Sequence, residues 1–301
     1  MKKSTVFPNV CALLAAMIWG FAFVTQSMGA EVLGPFTLNA SRSVIASVFL
    51  LVLCLVLRKL RRETWAQSVK KNPHYLRDLI VGGGSCGVAL AIATNLQQKG
   101  LETTTSGKAG FVTAMYIVLV PLLGLLLKRP VGRQVWIGVV VAVAGLYFLC
   151  IQEDFGVAVG DVYILLAAVF FAVQILAVDH FVQNVDGVEL SLAQTLTSAT
   201  ISTVMMLLTE QPTWEAIGIA IWPLLYLGIF SSGIAYTLQI VAQKGSNPTV
   251  ISILLSLESV FAVIGGALVL HDQMSGREYL GCVLMMAAVV LAQLPEKSGN
   301  N

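Results

Sequence analysis

The sequence has few charged residues for its length. Only 11% of the 301 residues are Asp, Glu, Lys or Arg, whereas 57% are hydrophobic and the mean hydropathy is +0.83. Soluble domains carry about 25% charged residues, so this composition excludes an ordinary soluble protein and indicates a bilayer as the solvent. A helical crossing needs about 20 apolar residues. The length therefore allows about ten crossings and no separate soluble domain.

The sequence also lacks the patterns of disulfide, metal and nucleotide sites. Its five cysteines lie in apolar stretches, without metal-ligand spacing and without partners in the loops, so we interpret them as packing residues. No GxxxxGK[ST] segment is present, which argues against direct ATP drive by this chain. We predict no metal and no cofactor. The formal net charge of +2 gives no reason to expect a nucleic-acid partner.

Apolar runs separated by polar breaks predict an all-α integral membrane protein with ten transmembrane helices. The predicted helices cover residues 10–28, 35–57, 79–97, 106–127, 133–151, 161–181, 190–208, 220–242, 248–269 and 276–294. Pro35 and Pro248 stand at the start of two of them, where proline is tolerated because the first N–H groups of a helix have no helical acceptor.

The distribution of basic residues predicts the orientation, because Lys and Arg are retained on the cytoplasmic side during insertion. With a cytoplasmic amino terminus, 14 bases fall inside, namely Lys2, Lys3, Arg58, Lys59, Arg61, Arg62, Lys70, Lys71, Arg77, Lys128, Arg129, Arg133, Lys244 and Lys297. Only Lys99, Lys108 and Arg277 fall outside, and Arg42 lies within a helix. We predict a multi-pass protein of the inner or plasma membrane with both termini in the cytoplasm.

Four short matches recur in order in the two halves of the chain. They pair Leu13-Leu14-Ala15-Ala16 with Leu165-Leu166-Ala167-Ala168, Gln98-Lys99-Gly100 with Gln243-Lys244-Gly245, Arg133 with Arg277, and Gly138 with Gly281. Their offsets are 152, 145, 144 and 143 residues, as a shorter loop in the second copy would produce. The matches predict two five-helix repeats, 1–151 and 152–301.

An odd number of crossings in each repeat makes the second copy enter the membrane from the opposite side, so the repeats are inverted. Charge agrees with this prediction: the loop 58–78 carries seven bases, whereas its counterpart 209–216 carries Glu210 and Glu215 and no base. Inverted repeats are common in secondary transporters, where two similar halves exchange conformations and open a central site to either side.

Two regions resemble a known family. The first region, in the first half of the chain, comprises the segment Ala16-Met17-Ile18-Trp19-Gly20-Phe21-Ala22 and the pattern Asn39-Ala40-Ser41-Arg42. The second region, in the second half, comprises Leu225-Tyr226-Leu227-Gly228, Ala235-Tyr236, Gln243-Lys244-Gly245 and Ser256-Leu257-Glu258. In these motifs the whole chain resembles the ten-helix EamA-like family of the drug/metabolite transporter superfamily. The resemblance implies a membrane carrier, often an exporter of amino acids or other metabolites, with a central cavity between the halves.

The chain departs from the family pattern at a few positions. Ser259 follows the glutamate where the family usually has proline, and Asp272 stands where glutamate often ends the ninth helix. The corresponding end in the first half is Lys128-Arg129. These departures weaken the transfer of coupling details and leave the family resemblance intact.

Two charged residues are predicted at membrane depth. Glu258 lies near the middle of the ninth helix, where an acidic residue costs about 2.5–3.5 kcal/mol unless it faces a cavity or a partner. It could relay protons or anchor a cationic substrate group, or it could be an interhelical hydrogen-bonding group. Arg42, about 10 Å from the outer end of the second helix by helical rise, could bind a substrate carboxylate, form a structural ion pair, or reach the headgroups.

Uncharged residues complete the predicted substrate site. Besides Arg42 and Glu258 it comprises Trp19, Gln26, Asn39, Gln97, Gln174, Tyr236 and Gln239. Their amide and aromatic groups could contact a solute, although amides at membrane depth also serve as contacts between helices. Other aromatic residues that could line a cavity are Phe21, Phe23, Tyr116, Phe170, Phe171 and Phe261.

The leading hypothesis is a secondary transporter that exports a small metabolite or amino-acid-like solute by alternating access. Its partners would be that solute, the lipid bilayer and, if Glu258 titrates, protons; facilitated diffusion is the alternative without protons. The competing hypothesis is an integral-membrane enzyme acting on a lipid-linked substrate. Such an enzyme needs clustered acids for a metal, or a nucleophile with a base, and the sequence has no such pattern. The oligomeric state is not predicted.

Overall fold

The computed structural model describes residues 6–62, 64–104, 106–128, 131–150, 158–269 and 275–294, and these ranges contain helices and no β-strand. The helices are α1 (Val6–Ala30), α2 (Pro35–Arg61), α3 (Trp65–Lys71), α4 (Tyr75–Gly100), α5 (Ser106–Ala114), α6 (Tyr116–Leu126), α7 (Arg133–Cys150), α8 (Val159–Phe181), α9 (Gly187–Thr209), α10 (Trp214–Ile219), α11 (Ile221–Leu225), α12 (Tyr236–Gln243), α13 (Pro248–Leu255), α14 (Glu258–Val269) and α15 (Gly276–Gln293). A π-helical segment, Tyr226–Ala235, joins α11 to α12.

Within these described ranges, eight helical stretches are long and apolar enough to cross a membrane, and two shorter apolar helices, Arg133–Leu149 and Pro248–Ile264, accompany them. All ten predicted ranges are thus helical over most of their length, while the count of ten crossings stays a prediction. Several residues used above lie outside the described ranges, namely Lys2, Lys3, Arg129, Asp272 and Lys297.

Three of the predicted helices are not continuous, which corrects the hydropathy reading of 106–127, 220–242 and 248–269. The chain leaves the α-helix at Met115, in the π-helical segment, and at Ser256–Leu257. At the third break the Ser252 and Ser256 hydroxyls donate to the carbonyls of Thr249 and Ile253, both at 2.8 Å. Serine hydroxyls that bond to helix carbonyls weaken the helix locally, and hydropathy does not report this.

The main helix contacts join the first half of the chain to the second. The closest pairs are α7 with α15, α4 with α8, α2 with α9, α4 with α9 and α1 with α14. Glycine allows several of these approaches: a Cβ on Gly20 would lie 2.5 Å from the Phe261 Cβ and 2.8 Å from the Glu258 carbonyl oxygen. The two halves therefore share one packed interior.

Polar contacts fix both ends of the α2–α9 pair. At one end Glu210 accepts hydrogen bonds from the Thr37 backbone N–H at 2.8 Å and from its hydroxyl at 2.6 Å. At the other end Arg58 pairs with Glu189, which also accepts a hydrogen bond from the Tyr75 hydroxyl at 2.8 Å. We call Arg58, Trp65, Ser68, Tyr75 and Glu189 the Arg58 cluster; it joins α2, α3 and α4 to the start of α9.

Candidate functional site

A cavity of about 50 Å³ lies in the interior of the helix bundle. It is lined by Trp19, Phe23, Gln26, Arg42, Gln97, Thr113, Tyr116, Phe171, Gln174, Ile175, Ser231, Tyr236, Gln239, Leu255 and Glu258. The lining comes from both halves of the chain. A water molecule needs about 10–15 Å³ of such space, so the cavity in this conformation holds a few waters, and a larger solute would require it to widen.

Eight of the nine residues that the sequence predicted as a substrate site line this cavity. Asn39 is the exception. It is 1% exposed, and its amide nitrogen donates to the Thr94 carbonyl and to Asn95 Oδ1, both at 3.0 Å. The structure thus places Asn39 in a contact between α2 and α4, in line with the alternative reading of membrane amides as contacts between helices.

Four lining residues were missed by sequence reasoning, namely Thr113, Ile175, Ser231 and Leu255. Thr113, Ser231 and Leu255 stand at or beside the three interruptions of the helices. Irregular backbone at membrane depth occurs where it is buried in protein or lines a cavity. Knowledge of the interruptions would have located Thr113, Ser231 and Leu255, but an apolar run in the sequence does not show where a helix is interrupted.

A chain of amides forms one wall. Gln239 Nε2 donates to Gln174 Oε1 at 3.1 Å, and Gln174 Nε2 donates to Gln194 Oε1 at 3.1 Å. The Gln239 side-chain oxygen is buried without a hydrogen-bond partner among the described residues. Gln97 Nε2 donates to the Thr113 hydroxyl at 3.0 Å on another part of the lining. These groups offer both donors and acceptors to an uncharged polar group.

Glu258 is the acidic residue of the lining and is 6% exposed. It begins α14 directly after the break at Ser256–Leu257, so its carboxylate lies at the positive end of that helix. The Tyr116 hydroxyl donates to Glu258 Oε1 at 3.3 Å. The break that ends α13 therefore brings a carboxyl group and a phenol together at the cavity.

Arg42 is the basic residue of the lining and is 4% exposed. Among the described residues no carboxylate lies within ion-pair distance of its guanidinium, and no hydrogen bond to it is formed. Nearby, Trp19 donates from Nε1 to the Ser231 carbonyl at 3.2 Å and packs edge-on against Tyr236 with ring centroids 4.8 Å apart. A buried charge without a partner is costly, so an anion beside the guanidinium of Arg42 would stabilise it.

A larger recess of about 550 Å³ lies at one end of the bundle, and the Arg58 cluster lies at the opposite end of α2. The recess is lined by Ser27, Ala30, Glu31, Val32, Leu33, Gly34, Pro35, Gln98, Leu101 and Glu102. It adjoins the cavity along the chain, because Gln26 and Gln97 line the cavity while Ser27 and Gln98 line the recess. The two spaces are thus neighbours along α1 and α4.

The described residues contain no group of three or more His, Cys, Asp or Glu that could hold a metal ion. The carboxyl group of Glu258 has a tyrosine for its neighbour rather than a second acid or a histidine. The lining offers hydrogen-bonding amides and hydroxyls, one basic and one acidic side chain, and aromatic rings.

Comparison with known proteins gives a consistent result. The profile of the EamA-like transporter family matches residues 6–151 and 158–294. An "uncharacterized transporter" of Archaeoglobus fulgidus is 28% identical over 96% of this chain and 86% of its own length. The "uncharacterized transporter YoaV" of Bacillus subtilis is 22% identical over 91% of this chain and 92% of its own. One crystal structure shares the fold with a TM-score of 0.76 at 19% identity, covering 96% of this chain and 97% of that one.

Proposed function

The chain belongs to the EamA-like transporter family, and from this premise we propose that it exports a small metabolite or amino-acid-like solute by alternating access through the central cavity. Its family and its relatives make it a membrane transporter. The observation that carries the finer proposal is the cavity itself, because eight residues chosen from the sequence for their polarity at membrane depth line one space.

Ten crossings in two inverted repeats are part of the proposal, and the packing supports them. In two equivalent repeats, each contact between the halves should have a counterpart in which every helix is replaced by the corresponding helix of the other repeat. The counterpart of the α4–α8 contact is the α12–α1 contact, and that of the α1–α14 contact is the α6–α8 contact. Both counterparts are present. The breaks at Met115 and at Ser256–Leu257 also fall at corresponding places in the two halves. Paired interruptions of this kind are typical of inverted-repeat transporters.

In the proposed orientation the chain lies in the inner or plasma membrane and both termini are in the cytoplasm. The Arg58 cluster then lies on the cytoplasmic side, where Arg58 and Glu189 hold the halves together. The recess beside Glu31 and Glu102 lies on the outer side. This conformation is accordingly closed toward the cytoplasm. Transport then requires the two halves to separate at the Arg58 cluster or beside it.

The inverted arrangement is tested by labelling the loops 58–78 and 209–216 with a membrane-impermeant reagent in sealed vesicles. Single cysteines introduced as Ser68→Cys and Thr213→Cys provide the sites. We expect them to react from opposite sides of the membrane. Reaction of both from one side would refute the inverted repeat and the carrier mechanism built on it.

Solute transport is tested with purified protein and a panel of metabolites. A solute that prefers the folded protein raises its apparent unfolding temperature, and solutes that do so are then offered to proteoliposomes for counterflow. We expect at least one solute both to stabilise the protein and to exchange across the membrane. Stabilising solutes that are instead chemically converted would favour the enzyme hypothesis.

Proton coupling through Glu258 is the second part of the proposal. Its carboxyl group faces the cavity and has the Tyr116 hydroxyl as its partner, so a proton taken up there is exposed to whichever side the cavity opens. In a proteoliposome pH-jump, Glu258→Gln should abolish proton-driven flux and leave solute exchange intact. Equal pH-driven flux in the variant and the native protein would establish facilitated diffusion instead.

A further inference from the structure

A second, smaller cavity borders Arg42 between α2, α4, α9 and the π-helical segment. Its volume is about 10 Å³, and its lining residues include the hydroxyl-bearing Ser43, Thr195, Ser198 and Ser232. We call this space, with Arg42, the hydroxyl chamber. Arg42 and Tyr236 line both the chamber and the central cavity, so these two side chains form the wall between them.

The chamber contains a positive charge. Arg42 is 4% exposed, and none of the described residues that line the chamber is acidic. Guanidinium groups stay charged in proteins, and burying one without a counter-charge costs several kcal/mol even after relaxation. An anion in the chamber would remove most of this penalty.

The chamber also has unused hydrogen-bond donors. Within the described part of the chain none of its four small hydroxyl groups forms a hydrogen bond, and the Thr195 oxygen is fully buried without a partner. By contrast, the Thr94 hydroxyl in the same lining donates to the Leu90 carbonyl at 2.9 Å. Free hydroxyls beside a guanidinium are the donors that a small anion accepts.

We propose that the hydroxyl chamber binds a single monatomic anion of the chloride type between Arg42 and the free hydroxyls. The size of the chamber narrows the choice, because about 10 Å³ is the space of one water molecule. A chloride ion is slightly larger than water, so its entry requires a small outward movement of the hydroxyl side chains, and sulfate or phosphate is too large. The bound anion neutralises Arg42 from the side opposite the solute. This anion site goes beyond the proposed transport function, and its test does not depend on whether the protein transports a solute.

The proposal is tested by thermal unfolding of the full-length protein in detergent. Unfolding exposes the buried Cys86 thiol, and the reaction of this thiol with a fluorogenic maleimide reports the unfolding temperature. Chloride is compared with acetate and with a bulky sulfonate at equal ionic strength. Between about 1 and about 100 mM we expect chloride to raise the unfolding temperature by about 2–4 °C more than the sulfonate does.

Variants locate the effect. Thr195→Val keeps the shape and removes one donor, and Arg42→Gln removes the charge; both should lose the chloride-specific rise. Thr200→Val is the matched control on the same helix, since its exposed hydroxyl bonds back to the Leu196 carbonyl, and it should keep the full rise.

Three results would overturn the proposal. They are an equal response to chloride and to the sulfonate, an undiminished chloride response in Thr195→Val, and a response to acetate as large as that to chloride. The last result would assign Arg42 to a carboxylate rather than to a free halide.

Discussion

Two arginines on α2, one buried and one partly buried, have opposite surroundings. Arg58 pairs with Glu189, lies 3.7 Å from the centre of the Trp65 ring and donates to the Ser68 hydroxyl at 3.4 Å. Arg42 has no such partner among the described residues. The protein thus neutralises one guanidinium with its own residues and leaves the other to face two cavities. We therefore expect Arg58 to stabilise the packing of the halves seen in this structure and Arg42 to bind an occupant of the cavities.

The largest effect should follow from removing the counter-charge of Arg58. Glu189→Ala leaves a guanidinium that is only 12% exposed without its carboxylate, and loss of one partner of a buried pair costs about 3–5 kcal/mol. The apparent unfolding temperature in detergent should fall accordingly. Arg61→Gln is the control, because its pair with Asp186 is half exposed and should contribute less than about 1 kcal/mol.

A side chain at Gly20 would disturb the wall of the cavity that carries Glu258. The added Cβ would meet the backbone of α14 at 2.8 Å, and overpacking of this kind costs about 1–3 kcal/mol. Gly20→Ala should therefore lower the unfolding temperature. Gly124→Ala provides the reference, since its added methyl meets no atom within 4 Å; equal stability of the two variants would contradict the close approach of α1 and α14.

Removal of the Asn39 amide should affect stability and spare solute binding. Asn39→Ala loses hydrogen bonds to Thr94 and Asn95, at about 1–2 kcal/mol for buried groups left unpaired. The unfolding temperature should fall while the affinity for a stabilising solute stays the same. A lower affinity for the solute without a lower unfolding temperature would show that Asn39 belongs to the substrate site.

Arg42 is the position where substitution should cause no loss of stability, which sharpens the contrast with Arg58. In chloride-free sulfonate buffer Arg42→Gln should leave the free energy of unfolding unchanged or raise it, because the substitution removes the desolvation penalty of a buried charge that has no partner. A destabilisation as large as that of Glu189→Ala would show that Arg42 has a structural partner.

Sequence reasoning located the two charged residues of the cavity because the bilayer makes a charge at membrane depth informative by itself. Arg42 and Glu258 stood out against their apolar runs in this way. Asn39 was placed in the site although it lies between two helices, since an uncharged amide is used for both purposes and its helix face depends on tertiary packing. Ser231 was not found, because a π-helical segment arises from packing and leaves no mark on hydropathy.

The most direct test of alternating access through the central cavity is two-sided labelling of single cysteines in a background without the native ones. Ser231→Cys places a thiol on the cavity wall and Ser68→Cys places one in the Arg58 cluster. We predict that a membrane-impermeant thiol reagent reaches position 231 from both sides of sealed vesicles and position 68 from one side. Labelling of position 231 from one side only would contradict alternating access through this cavity.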